Sequence, residues 1–236
     1  GKVWRGERAQ RGRFREFYQA DIDVIGDGRL DIMNEAEIPS IICRAFTRLG
    51  LRDFTIRINN RKVLGGFFAM HGMGAPAEIL RTVDKLEKIG ADKVRAILLG
   101  DCGLDEDQAA AVLSFTGFAG TTAEKLAFLE GMRGKNELFD TGVDELRTVA
   151  EALPGLGVPA ERFAIDLTIA RGLDYYTGTV YETTINSHPE IGSVCSGGRY
   201  DNLAEYYTDR ALPGVGISIG VTRLFYVLSE QGLLNP

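Results

Sequence analysis

The hydrophobic period of the chain changes twice, and this limits the fold more than any other feature. Across 61–157 the punctuation is that of helix after helix, while the flanking parts contain runs that alternate apolar and polar like strands. Within the block, helices are expected over 76–89, closed by Gly90, over 105–115, over 122–132, and over 143–153 ahead of Pro154. Asp105, Thr121 and Thr141 stand where N-caps belong. The reading is an α+β fold in three parts: a first core part at 1–60, a helical insertion at 61–157, and a second core part at 158–236.

The first part opens on an expected strand over 3–8, an arginine-rich turn over 9–13 pivoting on Gly12, and a strand over 16–24. In the latter, Tyr18, Ala20, Ile22 and Val24 share one face and Gln19, Asp21 and Asp23 the other, so an amide and two carboxylates can floor a site. Residues 1–16 hold six basic and two acidic side chains in a chain of net charge −6, leaving about −10 for the rest. A basic cluster confined to one end of an acidic chain points to an anionic ligand more than to general nucleic-acid adhesion; a solvated loop is the plainer alternative. A helix is expected over 31–49, closed by Gly50, with Pro39 breaking, kinking or restarting it, and a short strand over 54–59.

In the last part, Phe163, Ile165, Leu167 and Ile169 alternate with small or polar residues, which predicts a strand over 163–170. Residues 171–182 follow, RGLDYYTGTVYE. Two tyrosines offer flat apolar walls with hydroxyl tips, and an arginine offers a fork for carboxylate or phosphate. That combination suits a small zwitterion bearing a ring, although the same residues also describe a hairpin with an Asp-anchored turn and core tyrosines. A strand is expected over 181–185. In 193–203, SVCSGGRYDNL, Gly197 and Gly198 allow a close backbone approach to a ligand, or form a turn capped by Asp201. In 213–224, PGVGISIGVTRL, the glycines lie in a strand instead of turning into a helix, which disfavours a dinucleotide-binding fold. Arg223 falls in the first turn of the next helix, where a structural cation is disfavoured, so it is a candidate ligand contact.

Three separated cysteines fit a reducing cytoplasm better than a disulfide framework, and the two histidines have no partners at metal-binding spacing. No apolar run approaches membrane-spanning length. The chain begins with Gly1, and Val3 and Trp4 are apolar close to that terminus, so a piece of a longer protein is expected.

Four stretches, in order, resemble the motifs of histidyl-tRNA synthetases, which are class II aminoacyl-tRNA synthetases. RGERAQRGRFREFYQ (5–19) resembles the second class-defining motif and RGLDYYTGTVYE the histidine-specific stretch. SGGRYDNL (196–203) resembles the second histidine-family stretch and GVGISIGVTRL (214–224) the third class-defining motif. The resemblance implies an antiparallel sheet flanked by helices, with an interposed helical domain that approaches the tRNA acceptor arm. It also implies roles. Arg5 would hold the ATP α-phosphate and the amino acid carboxylate, Glu7 would lie near the adenine, Arg13 by the phosphates, and Arg223 at the γ-phosphate end. Gln19 would face the histidine amino group, and Asp23 with Tyr176 would bond the imidazole. Tyr175 and Tyr200 would wall the pocket, and Arg171 would bind where α-phosphate meets carboxylate. Arg5, Arg171 and Arg223 would then be the catalytic groups, since adenylation needs positioning and charge stabilisation and no protein nucleophile.

The same resemblance implies ATP with Mg²⁺ as cofactors, the metal ligands being left open, L-histidine and tRNA(His) as substrates, and a cytoplasmic homodimer for the full-length protein. Ala9 stands where the family often has proline. The first class-defining motif with its dimer interface, a segment giving further contacts to the histidine amino group, and the C-terminal anticodon-binding domain are missing, so an incomplete enzyme is expected. The alternative is a non-catalytic module on the same fold, either the regulatory subunit of ATP phosphoribosyltransferase or a kinase sensor domain binding histidine or tRNA. Arg5, Arg171 and Arg223 together favour the ligase.

Overall fold

The computed structural model describes residues 1–6, 14–74, 76–170 and 175–234, the side chain of Glu87 excepted. Seven strands, β1 (Lys2–Trp4), β2 (Glu16–Ile25), β3 (Phe54–Asn60), β4 (Phe163–Ile165), β5 (Thr179–Ile185), β6 (Ser193–Tyr200) and β7 (Gly214–Gly220), form one sheet in the order β1-β2-β7-β6-β5-β3-β4. All neighbours run antiparallel except β3 and β4, which are parallel at one edge. The period change is resolved by long-range pairing. β2 lies beside β7, with Gln19 opposite Gly220 and Asp23 opposite Gly216, and β3 lies beside β5 across the helical block.

The alternation in β2 survives as half-buried Ile22 and Val24 against exposed Asp21 and Asp23. Tyr18 and Ala20, on the apolar face, are exposed, because this end of the strand runs past the core. The alternation over 163–170 does not become a full strand. Asp166 accepts both the amide (2.9 Å) and the hydroxyl (2.6 Å) of Thr168 and pairs with Arg57 at 2.6 Å, so a local turn ends the strand at Ile165.

Helix α1 (Met33–Arg48) runs through Pro39 without a break or restart. Proline removes the amide that would bond the carbonyl of Glu35 four residues earlier, and that carbonyl instead accepts the Tyr181 hydroxyl at 2.6 Å. Gly50, at φ +84°, takes the left-handed conformation that closes the helix.

The helical block contains α2 (Arg61–Met70), α3 (Pro76–Val83), α4 (Leu86–Ile89), α5 (Ala91–Gly100), α6 (Glu106–Thr116), α7 (Thr122–Glu130) and α8 (Glu137–Gly155). Asp105 and Thr121 cap α6 and α7 through reciprocal bonds with Gln108 and Glu124. Thr141 is not a cap: α8 starts a turn earlier, where Asn136 accepts the Phe139 amide at 3.1 Å, and the Thr141 hydroxyl donates to Glu137 O at 2.8 Å. The expected helix over 76–89 is divided into α3 and α4, and α2 and α5 are additional. Helices α2 and α8 touch backbone to backbone: a Cβ on Gly66 would lie 2.4 Å from the Phe139 amide, and one on Gly142 2.6 Å from that of Val63. Helix α8 also packs on α1 and β3, and α9 (Val221–Glu230) follows β7. No helix of the described residues is long and apolar enough to cross a membrane.

Candidate active site

The polar face of β2 meets β7 where β7 has least side chain. A Cβ added to Gly216 would lie 2.0 Å from Asp23 Oδ1, and one added to Gly214 would lie 2.3 Å from the Tyr200 ring. The glycines therefore leave space for the Asp23 carboxylate and the Tyr200 phenol to lie across the strand, and the Tyr200 hydroxyl donates to Asp23 Oδ1 at 2.7 Å. Gly198 does the same for Tyr176, whose ring would stand 3.0 Å from an added Cβ. Tyr175 and Tyr176 stack obliquely with centroids 4.2 Å apart.

Asp21, Asp23, Tyr175, Tyr176, Tyr200 and Ser218 share a cavity of about 420 Å³. Two of its phenols, Tyr176 and Tyr200, are held as hydroxyls. Burial, then Tyr175 and Asp23, pushes the Tyr176 hydroxyl well above its ordinary range, and burial, then the bond to Asp23, does so for Tyr200. Such a recess offers a ring-shaped ligand two hydroxyls and a carboxylate between aromatic walls.

A second recess adjoins it, lined by Arg5, Phe17, Gln19, Ser196, Ser218 and Arg223, among others. The Arg5 guanidinium lies over the Phe17 ring at 4.9 Å and donates to Gln19 Oε1 at 2.9 Å. Gln19 Nε2 in turn donates to the Ser218 hydroxyl and to Asp21 Oδ1 at 3.2 Å. Arg223, third in α9, reaches over the end of β6 and donates to the Ser193 carbonyl. Ser218 lines both recesses, so they form one groove along the β2–β7–β6 face.

The structure thus places Arg5, Gln19 and Arg223 in one half of the groove and Asp23, Tyr175, Tyr176 and Tyr200 in the other. Glu7, Arg13 and Arg171 lie outside the described residues. Gly197 and Gly198 do not form a capped turn. They sit inside β6, and a Cβ on Gly197 would lie 2.0 Å from Gly216 O, so the close approach there is between strands. Phe17, Ser196 and Ser218 were not singled out by sequence; for Ser218 the usable signal was its alternation in step with Gly216 and Gly220. The described residues contain no cluster of three or more His, Cys, Asp or Glu able to hold a metal ion.

A seven-stranded, mainly antiparallel sheet flanked by helices, with this groove on one face, is the fold of a class II aminoacyl-tRNA synthetase core. A family model described as histidyl-tRNA synthetase matches residues 1–224. The histidine–tRNA ligase of Clostridium tetani is 56% identical over 234 residues, which are 99% of this chain and 53% of that protein. The crystal structure of histidyl-tRNA synthetase from Nostoc sp. PCC 7120 superposes with a TM-score of 0.91 at 43% identity, covering 100% of this chain and 54% of that one. A structure described as an ATP phosphoribosyltransferase regulatory subunit/histidyl-tRNA synthetase from Bacillus halodurans C superposes with a TM-score of 0.76 over 100% of this chain and 57% of that one, with 24% identity, a likeness of fold alone. The chain belongs to the histidyl-tRNA synthetase family. It spans about half the length of the curated relatives it matches.

Proposed function

We propose that this chain is the catalytic core of a histidine–tRNA ligase, which activates L-histidine with ATP to histidyl-adenylate and passes the histidyl group to tRNA(His). The observation that carries the reading is the joined groove: a cationic, amide-bearing half beside a half walled by tyrosines and ending on a carboxylate. In the first step a histidine carboxylate oxygen bonds to the α-phosphorus as the bond to pyrophosphate breaks. In the second a hydroxyl of the terminal tRNA ribose takes the acyl group and AMP leaves. Neither step needs a protein nucleophile, so the work is orientation and charge stabilisation.

Arg5 is suited to bridge the α-phosphate and the carboxylate, with Phe17 beneath it, and Arg223 to hold the distal phosphates at the far side of the same recess. Gln19 would accept the histidine amino group, its orientation fixed by Arg5 and Ser218. Asp23 and Tyr176 would bond the two imidazole nitrogens while Tyr175 and Tyr200 close the walls. Bonding both nitrogens rejects an apolar analogue by about 10⁴ or more, since a ring filling the recess would cover the hydroxyl and the carboxylate and leave them stranded. Arg171, Glu7 and Arg13 keep their proposed phosphate and adenine roles.

Mg²⁺ dehydrates reluctantly and takes most of its ligands from substrate phosphates and water, so a groove without a carboxylate cluster among the described residues fits an ion carried in on ATP. When bound, it would neutralise phosphate charge; no described residue is assigned to it. We further propose the three-part division at 60/61 and 157/158, with the insertion near the acceptor arm, and a cytoplasmic homodimer for the full-length protein. The regulatory alternative is supported only by a likeness of fold at 24% identity.

Two measurements test the reading. A melting shift of this chain with L-histidine plus a non-hydrolysable adenylate analogue is expected, worth about 2.7 kcal/mol at a hundred times Kd. The full-length protein is expected to catalyse histidine-dependent ATP–pyrophosphate exchange; histidine binding without exchange would establish the regulator instead.

A further inference from the structure

On the sheet face opposite the tyrosine-walled recess, a partly buried polar clasp joins the two segments that carry its walls. Arg199 and Asp201 flank Tyr200, and Thr177 follows Tyr176. Arg199 Nε donates to Asp201 Oδ1 at 2.9 Å, Asp201 Oδ2 accepts the Thr177 hydroxyl, and the Thr177 amide donates to Arg199 O at 2.8 Å. The clasp is anchored to α1: Arg199 Nη1 donates to Glu35 Oε1 at 2.6 Å and to Leu30 O at 3.2 Å, and Glu35 Oε2 accepts the Thr179 amide at 3.3 Å. Glu35 is fully buried, in the first turn of its helix, where the dipole favours a carboxylate.

We propose that Glu35 and Arg199 are positioning residues for the tyrosine-walled recess, fixing the separation of Tyr176 from Tyr200 and Asp23 and hence the fit of the ligand ring between them. This rests on the reading of that recess as the histidine site. Stability alone gives little reason for the arrangement, because a buried ion pair is often replaceable by packed apolar residues at no cost or with a gain. What the pair supplies is geometry. The planar guanidinium ties a helix carboxylate, the carbonyl of Leu30 and the Asp201 carboxylate at once, and Asp201 holds the residue next to Tyr176.

The test uses the whole chain, isothermal titration with L-histidine, and thermal melting. Glu35→Gln strands the guanidinium and is expected to lower both the melting temperature and, about tenfold, the histidine affinity. Adding Arg199→Gln removes the stranded charge, so the melting temperature recovers, while affinity stays about tenfold down because Asp201 has lost its guanidinium. Thr177→Val strands no buried charge and is expected to weaken histidine with little change in melting. Affinity that recovers together with melting in the double variant, or stays within twofold in all three, overturns the proposal. The separation of the Tyr176 and Tyr200 rings, followed by nuclear Overhauser contacts between labelled tyrosines, needs no ligand. The contacts are expected to change in the double variant, and unchanged contacts also overturn the clasp. If the parent chain fails to bind histidine while these contacts change, the histidine-site reading falls and the clasp stands.

Discussion

Gly216→Ala is expected to abolish most histidine binding while leaving the sheet paired. The added methyl would lie 2.0 Å from Asp23 Oδ1, 2.6 Å from its Cγ and 2.7 Å from Ile22 O. The Ile22 carbonyl belongs to the paired neighbouring strand and has little room to move, so the Asp23 side chain has to swing away. Its bond from the Tyr200 hydroxyl, at 2.7 Å, breaks, and the carboxylate leaves the position proposed for an imidazole nitrogen. A hydrogen bond to a charged group contributes about 1.5–3 kcal/mol, which corresponds to a roughly 10- to 150-fold weaker Kd. The residual overlap with Ile22 O adds an overpacking strain of about 1–3 kcal/mol, seen as a melting temperature lower by several degrees. Isothermal titration with histidine gives the first quantity and calorimetric melting the second. Gly155→Ala, at the end of α8 where the methyl would meet nothing within 4 Å, is the control and is expected to leave histidine affinity unchanged without lowering the melting temperature. If Gly216→Ala binds histidine within twofold of the parent, Asp23 does not hold the ring and the assignment of that half of the groove is wrong.

Removing the N-caps by Asp105→Ala or Thr121→Ala is expected to cost about 1 kcal/mol each in thermal melting, since each side chain accepts the amide three residues on. Tyr181→Phe leaves the Glu35 carbonyl without its donor, at a cost of about 1–3 kcal/mol. The loss is expected to shrink in a Pro39→Ala background, where an amide returns to that carbonyl; full additivity of the two changes would refute the pairing. For Asp166, burial pushes the carboxyl up but Arg57 and Thr168 more than offset it, so its folded pKa lies below the ordinary 3.8. Its stabilisation is present above that ordinary value and lost as pH falls through the folded pKa, so Asp166→Asn is expected to flatten the acid limb of stability below about pH 4. Gly66→Ala is expected to lower the melting temperature by the overpacking strain of about 1–3 kcal/mol, although alanine normally stabilises a helix by about 1 kcal/mol; a rise would show that α2 and α8 do not touch there.

These positions also show which parts of the molecule were legible in sequence. Where a local rule and the tertiary structure agree, sequence sufficed: the strand over 16–24, with its apolar face half-buried at Ile22 and Val24, the caps at Asp105 and Thr121, the left-handed Gly50, and the glycine-spaced strand that runs into α9 with Arg223 in its first turn. Where a distant residue decides, sequence could not suffice. Pro39 reads as a break because the hydroxyl that satisfies the freed carbonyl comes from Tyr181, 142 residues away in the chain and 146 from the carbonyl it bonds. Gly65 and Gly66 count against a helix locally, yet Gly66 is what lets α8 approach α2. The apolar period over 163–170 promises a strand, but Asp166 is claimed by Thr168 and Arg57, and a side-chain bond outcompetes the ladder. The groove follows the same logic. Its polar residues were visible one by one, because amides, carboxylates and tyrosines on strand faces stand out. The condition that lets them share one cavity was not visible, because it resides in absent side chains: Gly198, Gly214 and Gly216 are meaningful only once β2, β6 and β7 are known to lie side by side. The glycines of two neighbouring strands thus serve as a clearance under a carboxylate and two phenols, and the ligand such a floor selects is decided by the residues that lean over it.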